Sequence, residues 1–258
     1  MLVLLPPSEG KASPPRAGRP VDLAALSFPE LGPTREKVLD ALVETSRRPD
    51  ALALLGAGAS LAADVARNAR LRDLPARPAH AVYTGVLYEA LGFPTLTASA
   101  RRRAARRVVV TSALWGFVRP GDRIPAYRLS MDAELPGLPL AATWRPVLGA
   151  ALAAAAGPRG VVVDCRSGPY AAAAPLRGPL AGRAVAVRVL REQDGARTVV
   201  SHLAKLTRGE VTRHLLELDT DPRTPRALAD AVATRWRAEL RQPSRRGTPW
   251  TLDVILRA

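Results

Sequence analysis

The sequence contains one cysteine, Cys165, among its 258 residues, so no disulfide can form within the chain. A lack of disulfides is typical of proteins in reducing compartments. No apolar run reaches the ~18 residues that a membrane-spanning helix needs, and the opening MLVLLPPSEGK lacks the basic flank of a signal peptide. We therefore expect a cytoplasmic protein that has no membrane partner.

Motifs for metal, nucleotide and covalent chemistry are also missing. The histidines are scattered along the chain, and no Cys/His or paired-His spacing indicates a zinc site. The glycine patterns of nucleotide-binding loops and the nucleophile elbow of serine hydrolases are absent. Cys165 directly follows a predicted strand, but no histidine is near it in the sequence, and a lone buried cysteine is normally inert. We therefore predict no metal and no cofactor.

Positive charge is what the sequence has in excess. The formal net charge is +15, and the sequence pI is about 11.3. Lysine is found only at Lys11, Lys37 and Lys205, so arginine carries almost all of this charge, with a dense run at residues 101–107. A chain this basic attracts polyanions such as nucleic acid or phosphorylated ligands, although charge alone supplies no specificity.

Apolar residues make up 47% of the sequence, which is ordinary for a globular core. Short β-branched runs alternate with segments of helical periodicity, and neither a repeat nor a linker separates them. We predict one domain over residues 1–258, of α/β class, with a single mixed sheet flanked by helices and a C-terminal helical hairpin-like pair. The predicted strands are 2–5, 79–82, 108–110, 160–164, 184–190, 198–201 and 250–256, with a hairpin turn at Asp194-Gly195. The predicted helices are 34–47, 61–71, 84–91, 96–107, 144–156, 204–218 and 226–240, with Thr84 and Thr95 as caps.

Polar loops follow three of these strands, at residues 8–11, 112–128 and 164–170. In α/β folds the ligand crevice lies at the carboxyl ends of the strands, so these loops can meet in one cleft. The second loop, within SALWGFVRPGDRIPAYRLSM, alternates aromatic residues with arginines; the alternative is a core hairpin whose arginines are solvated. Positive charge in the cleft would come from Lys11, Arg119, Arg128 and Lys205. The candidates for proton transfer there are Asp164, Ser167 and Tyr170.

Four stretches resemble the YaaA family of peroxide stress resistance proteins. They are LVLLPPSEGK, which ends at Lys11; VYTG at 82–85; LWGFVRP with PAYRLSM at 114–131; and S-x-x-A-K-x-x-R-G at 201–209. The motifs occur in the family's order and are specific in combination. Together with the strand-end loops they indicate a set of ligand- or DNA-binding residues: Lys11, Tyr83, Thr84, Ser112, Arg119, Tyr127, Arg128, Lys205 and Arg208.

The resemblance implies an α/β fold with a positively charged cleft, binding of double-stranded or branched DNA, and a cytosolic role that limits oxidative damage, partly through intracellular iron. It also implies a helix-hairpin-helix element, for which 211–218 and 226–232 are the matching helices. Their connection, 219–225, lacks the Gly-x-Gly whose amides approach phosphate, and its two aspartates would repel phosphate. We therefore expect DNA-backbone contacts from the basic surface rather than from this hairpin.

The second hypothesis is an enzyme that acts on a small anionic or nucleobase-like substrate in the cleft. Lys11, Arg119, Arg128 and Lys205 would then hold the anion. The motifs favour this hypothesis in one respect, because binding of backbone phosphate needs positive charge but no fixed geometry of Tyr127 and Arg128. Both hypotheses stay open at the level of the sequence.

Overall fold

An eight-stranded mixed sheet includes both the first and the last strand of the chain. It belongs to a computed structural model that describes residues 1–194 and 196–257, with Ser201 and His202 described by their backbone alone. The strands are β1 (Leu2–Leu5), β2 (Arg77–Pro78), β3 (Val108–Ser112), β4 (Gly116–Val118), β5 (Arg123–Ile124), β6 (Val162–Asp164), β7 (Ala184–Gln193), β8 (Ala196–Val199), β9 (Arg237–Arg241) and β10 (Trp250–Arg257). The helices are α1 (Gly32–Thr45), α2 (Ala51–Leu54), α3 (Ala62–Asn68), α4 (Ala79–Val82), α5 (Val86–Leu91), α6 (Ala98–Arg107), α7 (Leu140–Ala156), α8 (Gly168–Ala173), α9 (Ser201–Glu217) and α10 (Pro225–Ala233).

The strand order of the large sheet is β4-β3-β1-β6-β7-β10-β9, and β8 pairs with β7. The inner strands β3, β1, β6, β7 and β10 are parallel, whereas β4, β8 and β9 pair antiparallel to their neighbours. β2 and β5 pair separately from this sheet. The predicted class is confirmed: an α/β protein with a mixed sheet flanked by helices, in which α9 and α10 form the C-terminal pair.

Strands β1, β3 and β6 are buried along their whole length. Continuous apolar runs of this kind are typical of parallel strands that are covered on both faces. Val3 is paired with Val108 on one side and Val163 on the other, so the three strands lie in close register. Their carboxyl ends therefore open onto the same edge of the sheet, which is where the polar loops 8–11, 112–128 and 164–170 begin.

The other half of the sheet is held by a network of ion pairs across β7, β8, β9 and β10. Asp253, which is fully buried, accepts from Arg188 at 2.6 Å and from Arg241 at 2.5 Å. Arg197 of β8 bridges Glu192 and Glu239, at 2.7 Å and 2.8 Å. The acidic residues of this region are thus neutralised locally, and they do not offset positive charge elsewhere on the surface.

The hairpin predicted between β7 and β8 is present, with Gln193 opposite Ala196. Gly195 of its predicted turn lies outside the described residues. Within residues 1–194 and 196–257, none of the helices combines the length and the apolar character that crossing a bilayer requires.

Residues 79–82 form the helical turn α4 and not the predicted strand. The amides of Ala79 and His80 donate to the carbonyl oxygens of Asp122 (2.8 Å) and Pro120 (3.0 Å). These bonds satisfy amides that a first helical turn leaves without partners. The turn therefore depends on a loop that is distant in sequence, which the local pattern could not indicate.

The predicted helix 226–240 is also wrong in its second half. Helix α10 stops at Ala233 and residues 237–241 pair with β10 as β9, where Arg237 and Glu239 enter the ion-pair network. Several boundaries shift as well, and the prediction of Thr84 as a cap is wrong, because Gly85 precedes α5 and no side chain caps that helix. Helix α6 starts at Ala98 with Thr97, not Thr95, as its cap, and residue 201 begins α9 instead of ending a strand.

The connection between α9 and α10 is anchored by its two aspartates. Asp221 pairs with the N-terminal amine at 3.1 Å and with Arg107 at 3.3 Å. Asp219 lies 3.7 Å from Arg103, which also donates to the Leu216 carbonyl at the end of α9 (2.6 Å). Two arginines of α6 therefore hold this connection in place.

Candidate functional site

The loop after β1 places Lys11 at the carboxyl edge of the sheet. The loop is fixed where the Tyr88 hydroxyl donates to the Pro6 carbonyl (2.7 Å). Further along, the backbone of Lys11 forms an antiparallel bridge with Tyr83. Lys11, Tyr83, Ser112, Tyr127 and Arg128 come together here, and we call this group the Lys11 centre. Three of the four stretches that carry the sequence resemblance thus supply Lys11, Tyr83, Tyr127 and Arg128, and Ser112 lies two residues before the third of them.

Three hydroxyl groups form a buried chain in the Lys11 centre. The Tyr127 hydroxyl lies 2.7 Å from the Ser112 hydroxyl and 3.1 Å from the Tyr83 hydroxyl. Ser112 Oγ accepts from the amides of Leu114 (3.2 Å) and Trp115 (3.0 Å), so its own proton is directed to Tyr127. The bond between the two tyrosines then uses one phenolic proton of the pair. The other phenolic proton remains for a ligand.

Burial determines the protonation state of these phenols. It raises the pKa of both Tyr83 and Tyr127 above the ordinary value, because a phenolate would lose its hydration. The same effect, followed by the proximity of Tyr127, raises the pKa of Tyr170, which is half-buried on α8. At neutral pH the phenols are therefore proton donors and not phenolates.

The Lys11 amine has an environment that disfavours its charged form. Its Nζ donates to the carbonyl oxygens of Ser8 (2.6 Å) and Glu9 (3.2 Å) and lies 4.4 Å from the centre of the Tyr127 ring. Burial, and then the positive charge of Arg128, lower the pKa of Lys11 to about 7. A large fraction of this amine is therefore neutral at physiological pH, and it can act as a base or as a nucleophile.

Arg128 is held beside the amine by a residue that sequence reasoning missed. The Arg128 amide donates to Asn68 Oδ1 (2.9 Å), and Asn68 Nδ2 donates back to the Arg128 carbonyl (2.8 Å). The guanidinium Nη1 donates to the Glu9 carbonyl at 3.1 Å. Its Nε is buried and has no hydrogen-bond partner among the described residues. Asn68 ends helix α3, and nothing in the local sequence separates it from a solvated helix end.

Ser8 is a second residue that was not singled out. Its hydroxyl accepts from the Thr84 amide at 3.1 Å and donates to the Gly10 carbonyl. Thr84 thus contributes to the site through its backbone, which ties the VYTG turn to the loop carrying Lys11. The S-E-G-K spacing was the only sequence signal for this contact.

The three candidates for proton transfer are placed differently. Tyr170 is the one whose pKa is affected by a residue of the Lys11 centre, Tyr127. Asp164 forms a bidentate pair with Arg166, with both bonds at 2.8 Å, and both residues are buried. Ser167 is exposed before the first residue of α8. Asp164 is therefore occupied by a structural ion pair.

The predicted cationic residues are only partly brought together. Lys11 and Arg128 share the Glu9 carbonyl. Arg119 lies elsewhere, because its Nη1 donates to the Arg106 carbonyl at the end of α6 (2.6 Å). Arg208 donates through Nε and Nη2 to the Val187 carbonyl, at 3.2 Å and 2.9 Å.

Lys205 lies at the rim of the site. Arg213 of α9 donates to the Leu91 and Gly92 carbonyls, while Gly209 packs against Leu87, so α9 runs parallel to α5. One turn before Gly209, Lys205 is therefore at the Thr84 end of α5, with its side chain exposed.

Neither a metal centre nor a reactive thiol is found among the described residues. Among the described residues, no three His, Cys, Asp or Glu side chains come close enough together to hold a metal ion. Cys165 is fully buried, and burial raises the pKa of its thiol to about 12. That thiol is therefore neutral at physiological pH.

Comparison with known proteins gives a consistent set of relatives. A sequence model of the family described as peroxide stress protein YaaA matches residues 1–239, a range that contains the whole Lys11 centre. A UPF0246 protein of Streptomyces coelicolor is 46% identical over 260 residues, which covers 99% of this chain and 98% of that protein. One of Corynebacterium efficiens is 42% identical over 236 residues, covering 89% and 91%. One of Cereibacter sphaeroides is 35% identical over 240 residues, covering 88% and 91%.

Proposed function

We propose that this chain, which belongs to the peroxide stress protein YaaA family, contributes to peroxide resistance by acting on a small anionic or nucleobase-like molecule at the Lys11 centre. One observation carries the proposal: the described residues place the Lys11 amine against two carbonyl oxygens and beside Arg128, with no carboxylate in salt-bridge contact. The two carbonyl oxygens that Lys11 contacts do not neutralise an ammonium, and its pKa falls to about 7. Folding gains nothing from such a group, whereas catalysis does.

The groups around the amine have complementary roles. Arg128 offers an unused donor to an anion or to a ring oxygen. The phenol pair of Tyr83 and Tyr127 has a proton to donate, and Lys11 in its neutral form can accept one. A ligand would contact Arg128, the phenol pair and Lys11 together if it has a hydrogen-bond acceptor next to a carbon that can lose a proton or be attacked by an amine.

A survival assay tests whether peroxide resistance depends on this site. In cells that lack their own copy, the variants Lys11→Met and Arg128→Gln should fail to restore growth after a hydrogen peroxide pulse, while the wild-type chain restores it. Lys37→Met and Arg177→Gln are matched controls, because they remove the same charges from exposed side chains. If both site variants accumulate as folded protein and protect as well as the controls, the proposal is wrong.

Binding of double-stranded or branched DNA is the second candidate function, and one observation favours it. Arg101, Arg102 and Arg106 are exposed on α6, and none of them forms a salt bridge within the described residues. We call these three residues the α6 arginine surface. Arg102 and Arg106 are one turn apart on one face of the helix. Such a surface matches a row of backbone phosphates and supplies no base readout.

The salt dependence of DNA affinity tests this second function. Removing Arg101, Arg102 and Arg106 together should weaken binding of a labelled duplex or four-way junction, and should lower the slope of log K against log salt by about 3. The triple variant Arg177→Ala, Arg245→Ala, Arg246→Ala loses the same charge from exposed positions away from α6. Equal losses in both triple variants would mean that net charge, and not the α6 arginine surface, determines binding.

A further inference from the structure

The neutral form of Lys11 is well accommodated by its surroundings. Its Nζ donates to two carbonyl oxygens, those of Ser8 and Glu9, and a neutral amine has two N–H groups for them. The remaining position on Nζ is then a lone pair. No carboxylate forms a salt bridge with this amine among the described residues, and the charges of Glu9 and Asp64, which raise its pKa, offset only part of the effect of burial and of Arg128. An amine desolvated beside a second cation is the arrangement that activates lysine as a nucleophile.

The hydroxyl chain can serve a carbonyl group placed next to that lone pair. Lys11 Nζ lies over the rings of both Tyr127 and Tyr83, at 4.4 Å and 5.8 Å from their centres. One phenolic proton of this pair has no acceptor among the hydrogen bonds of the described residues. It can hydrogen-bond to a carbonyl oxygen and stabilise the negative charge that develops there during attack.

Arg128 adds a preference for an anionic substituent. Its Nε is buried without a partner among the described residues, while Nη1 is engaged with the Glu9 carbonyl. A buried guanidinium donor without an acceptor costs free energy, which a bound carboxylate would recover. Asn68 fixes the backbone of Arg128 on both sides, so this donor is held in position before a ligand arrives.

We propose that Lys11 is a nucleophile that forms an imine with a small oxo acid, whose carboxylate binds Arg128. This inference rests on the proposed function of the Lys11 centre and names its substrate class. The amine nitrogen attacks the carbonyl carbon, and a C–N bond forms as the carbonyl π bond breaks. One amine proton moves to the oxygen to give a carbinolamine. The hydroxyl then leaves as water with the second amine proton, so that all atoms and protons are accounted for.

Reductive trapping tests the inference on the wild-type protein. Glyoxylate with cyanoborohydride at pH 7 would convert an imine-forming lysine to carboxymethyl-lysine, which peptide mass spectrometry locates. The chain has only three lysines, and Lys37 and Lys205 are exposed internal references. Because an ordinary lysine is almost fully protonated at pH 7, we expect Lys11 to be labelled at least about tenfold faster than either. Labelling of Lys11 at the same rate as Lys37 overturns the inference.

The role of Arg128 is tested by comparing two aldehydes. Arg128→Gln changes the protonation of Lys11 as well as the anion site, so the informative quantity is the ratio of labelling by glyoxylate to labelling by neutral acetaldehyde. We expect this ratio to fall severalfold in Arg128→Gln and to stay unchanged in Arg177→Gln. An unchanged ratio in Arg128→Gln would rule out the oxo-acid assignment. Slow labelling of Lys11 together with loss of peroxide survival in Lys11→Met would reject the imine while the proposed function stands.

Discussion

Ser112 and Lys11 are neighbours in one site, yet folding accounts for only one of them. The Ser112 hydroxyl makes three hydrogen bonds that terminate β3 and shape the turn at 113–115. The same three hydrogen bonds would be needed to form this turn in a protein that binds no ligand. Lys11 makes contacts that do not compensate the loss of hydration of an ammonium. At the scale of single residues, a buried polar group whose hydrogen bonds stabilise the fold, such as Ser112, is therefore structural. A group whose burial costs free energy without such a return, such as Lys11, is a functional candidate.

Removal of the Ser112 hydroxyl gives the first prediction. Ser112→Ala leaves two amides and the Tyr127 hydroxyl short of a partner in a fully buried region. We expect the free energy of unfolding to fall by about 2 kcal/mol or more, as measured by urea denaturation. Ser167→Ala is the matched control, because that side chain is exposed and caps no amide, and it should change stability by less than about 0.5 kcal/mol. Similar effects in the two variants would contradict the hydrogen-bond assignment of Ser112.

The reactivity of Cys165 gives the second prediction. Its thiol is fully buried and burial raises its pKa to about 12, so the thiolate that reacts with peroxide is almost absent at pH 7. The folded protein should therefore resist both iodoacetamide at pH 8 and hydrogen peroxide, whereas the urea-unfolded chain should react. Because this is the only thiol, intact mass reports alkylation directly, and peptide mass spectrometry distinguishes oxidised Cys165 from oxidised Met1 or Met131. Sulfenic or sulfinic acid in the folded protein would show that Cys165 is a peroxide sensor after all.

Residue types and spacing predicted part of the candidate site but could not assign each arginine. Arg119 and Arg128 come from one stretch of the sequence. Arg119 precedes a proline and Arg128 follows a tyrosine, and both patterns favoured a ligand-binding loop. The structure takes Arg119 to the end of α6 and leaves Arg128 beside Lys11. The difference depends on where α6 ends in space. Asn68 was missed for the same reason, since its partner is sixty residues away.

At the scale of elements, the contact between α5 and α9 determines where the rim of the site lies. Gly209 allows the two helices to approach so closely that a Cβ built on it would be 2.8 Å from Cβ of Ala90, and closer still to the Leu87 carbonyl oxygen. Side chains on both helices would keep them further apart. This approach places Lys205 near the end of α5 where Thr84 contacts Ser8.

Adding one methyl group at this contact gives the third prediction. Gly209→Ala should lower the free energy of unfolding by at least about 2 kcal/mol, because backbone and not a flexible side chain stands in the way. Gly149→Ala is the control within another helix, α7, where nothing lies within 4 Å of the added Cβ. There the substitution should stabilise the protein by up to about 1 kcal/mol. If chemical denaturation shows both variants stabilised, α5 and α9 are further apart than described.

The sequence signals for elements differed in strength along the sheet. Strands β1, β3 and β6 were predictable because they are buried on both faces and therefore carry continuous apolar runs. Strand β9 was not, since Arg237, Glu239 and Arg241 form ion pairs with residues of other strands. The positions of charged residues in the sequence do not predict which ion pairs they form in the folded protein. Non-local pairing is thus the physical reason for the error at 226–240.

At the scale of the whole molecule, the distribution of charge matters more than its sum. The ion-pair network of β7 to β10 and the anchored α9–α10 connection use acidic residues in pairs with arginine. The α6 arginine surface has no such compensation among the described residues. Arg101, Arg102 and Arg106 therefore contribute to the net charge of +15 without local neutralisation, whereas Arg103 and Arg107 of the same helix are paired with Asp219 and Asp221. Long-range attraction of polyanions should be directed to that side of the molecule.

The dependence of global stability on pH gives the fourth prediction, because Lys11 is linked to unfolding. Its pKa is about 7 in the folded protein, against the ordinary lysine value of 10.5 that represents the unfolded chain. Between these values the unfolded chain binds more protons, so raising the pH favours the folded state. From pH 7 to 8.5 the free energy of unfolding should rise more steeply in the wild type than in Lys11→Met, with a limiting difference of about 1.4 kcal/mol per pH unit.

The window stops at pH 8.5 because Cys165 has the opposite linkage. Its pKa is raised from 9.0 to about 12 on folding, so above pH 9 the unfolded chain loses that proton first and stability declines. Lys37→Met removes an equal charge from an exposed side chain and should keep the wild-type slope. Urea denaturation at several pH values measures the free energy of unfolding of the wild type, Lys11→Met and Lys37→Met. If Lys11→Met and the wild type run parallel across the window, the amine is an ordinary surface lysine, and both the base and the nucleophile roles proposed for it are excluded.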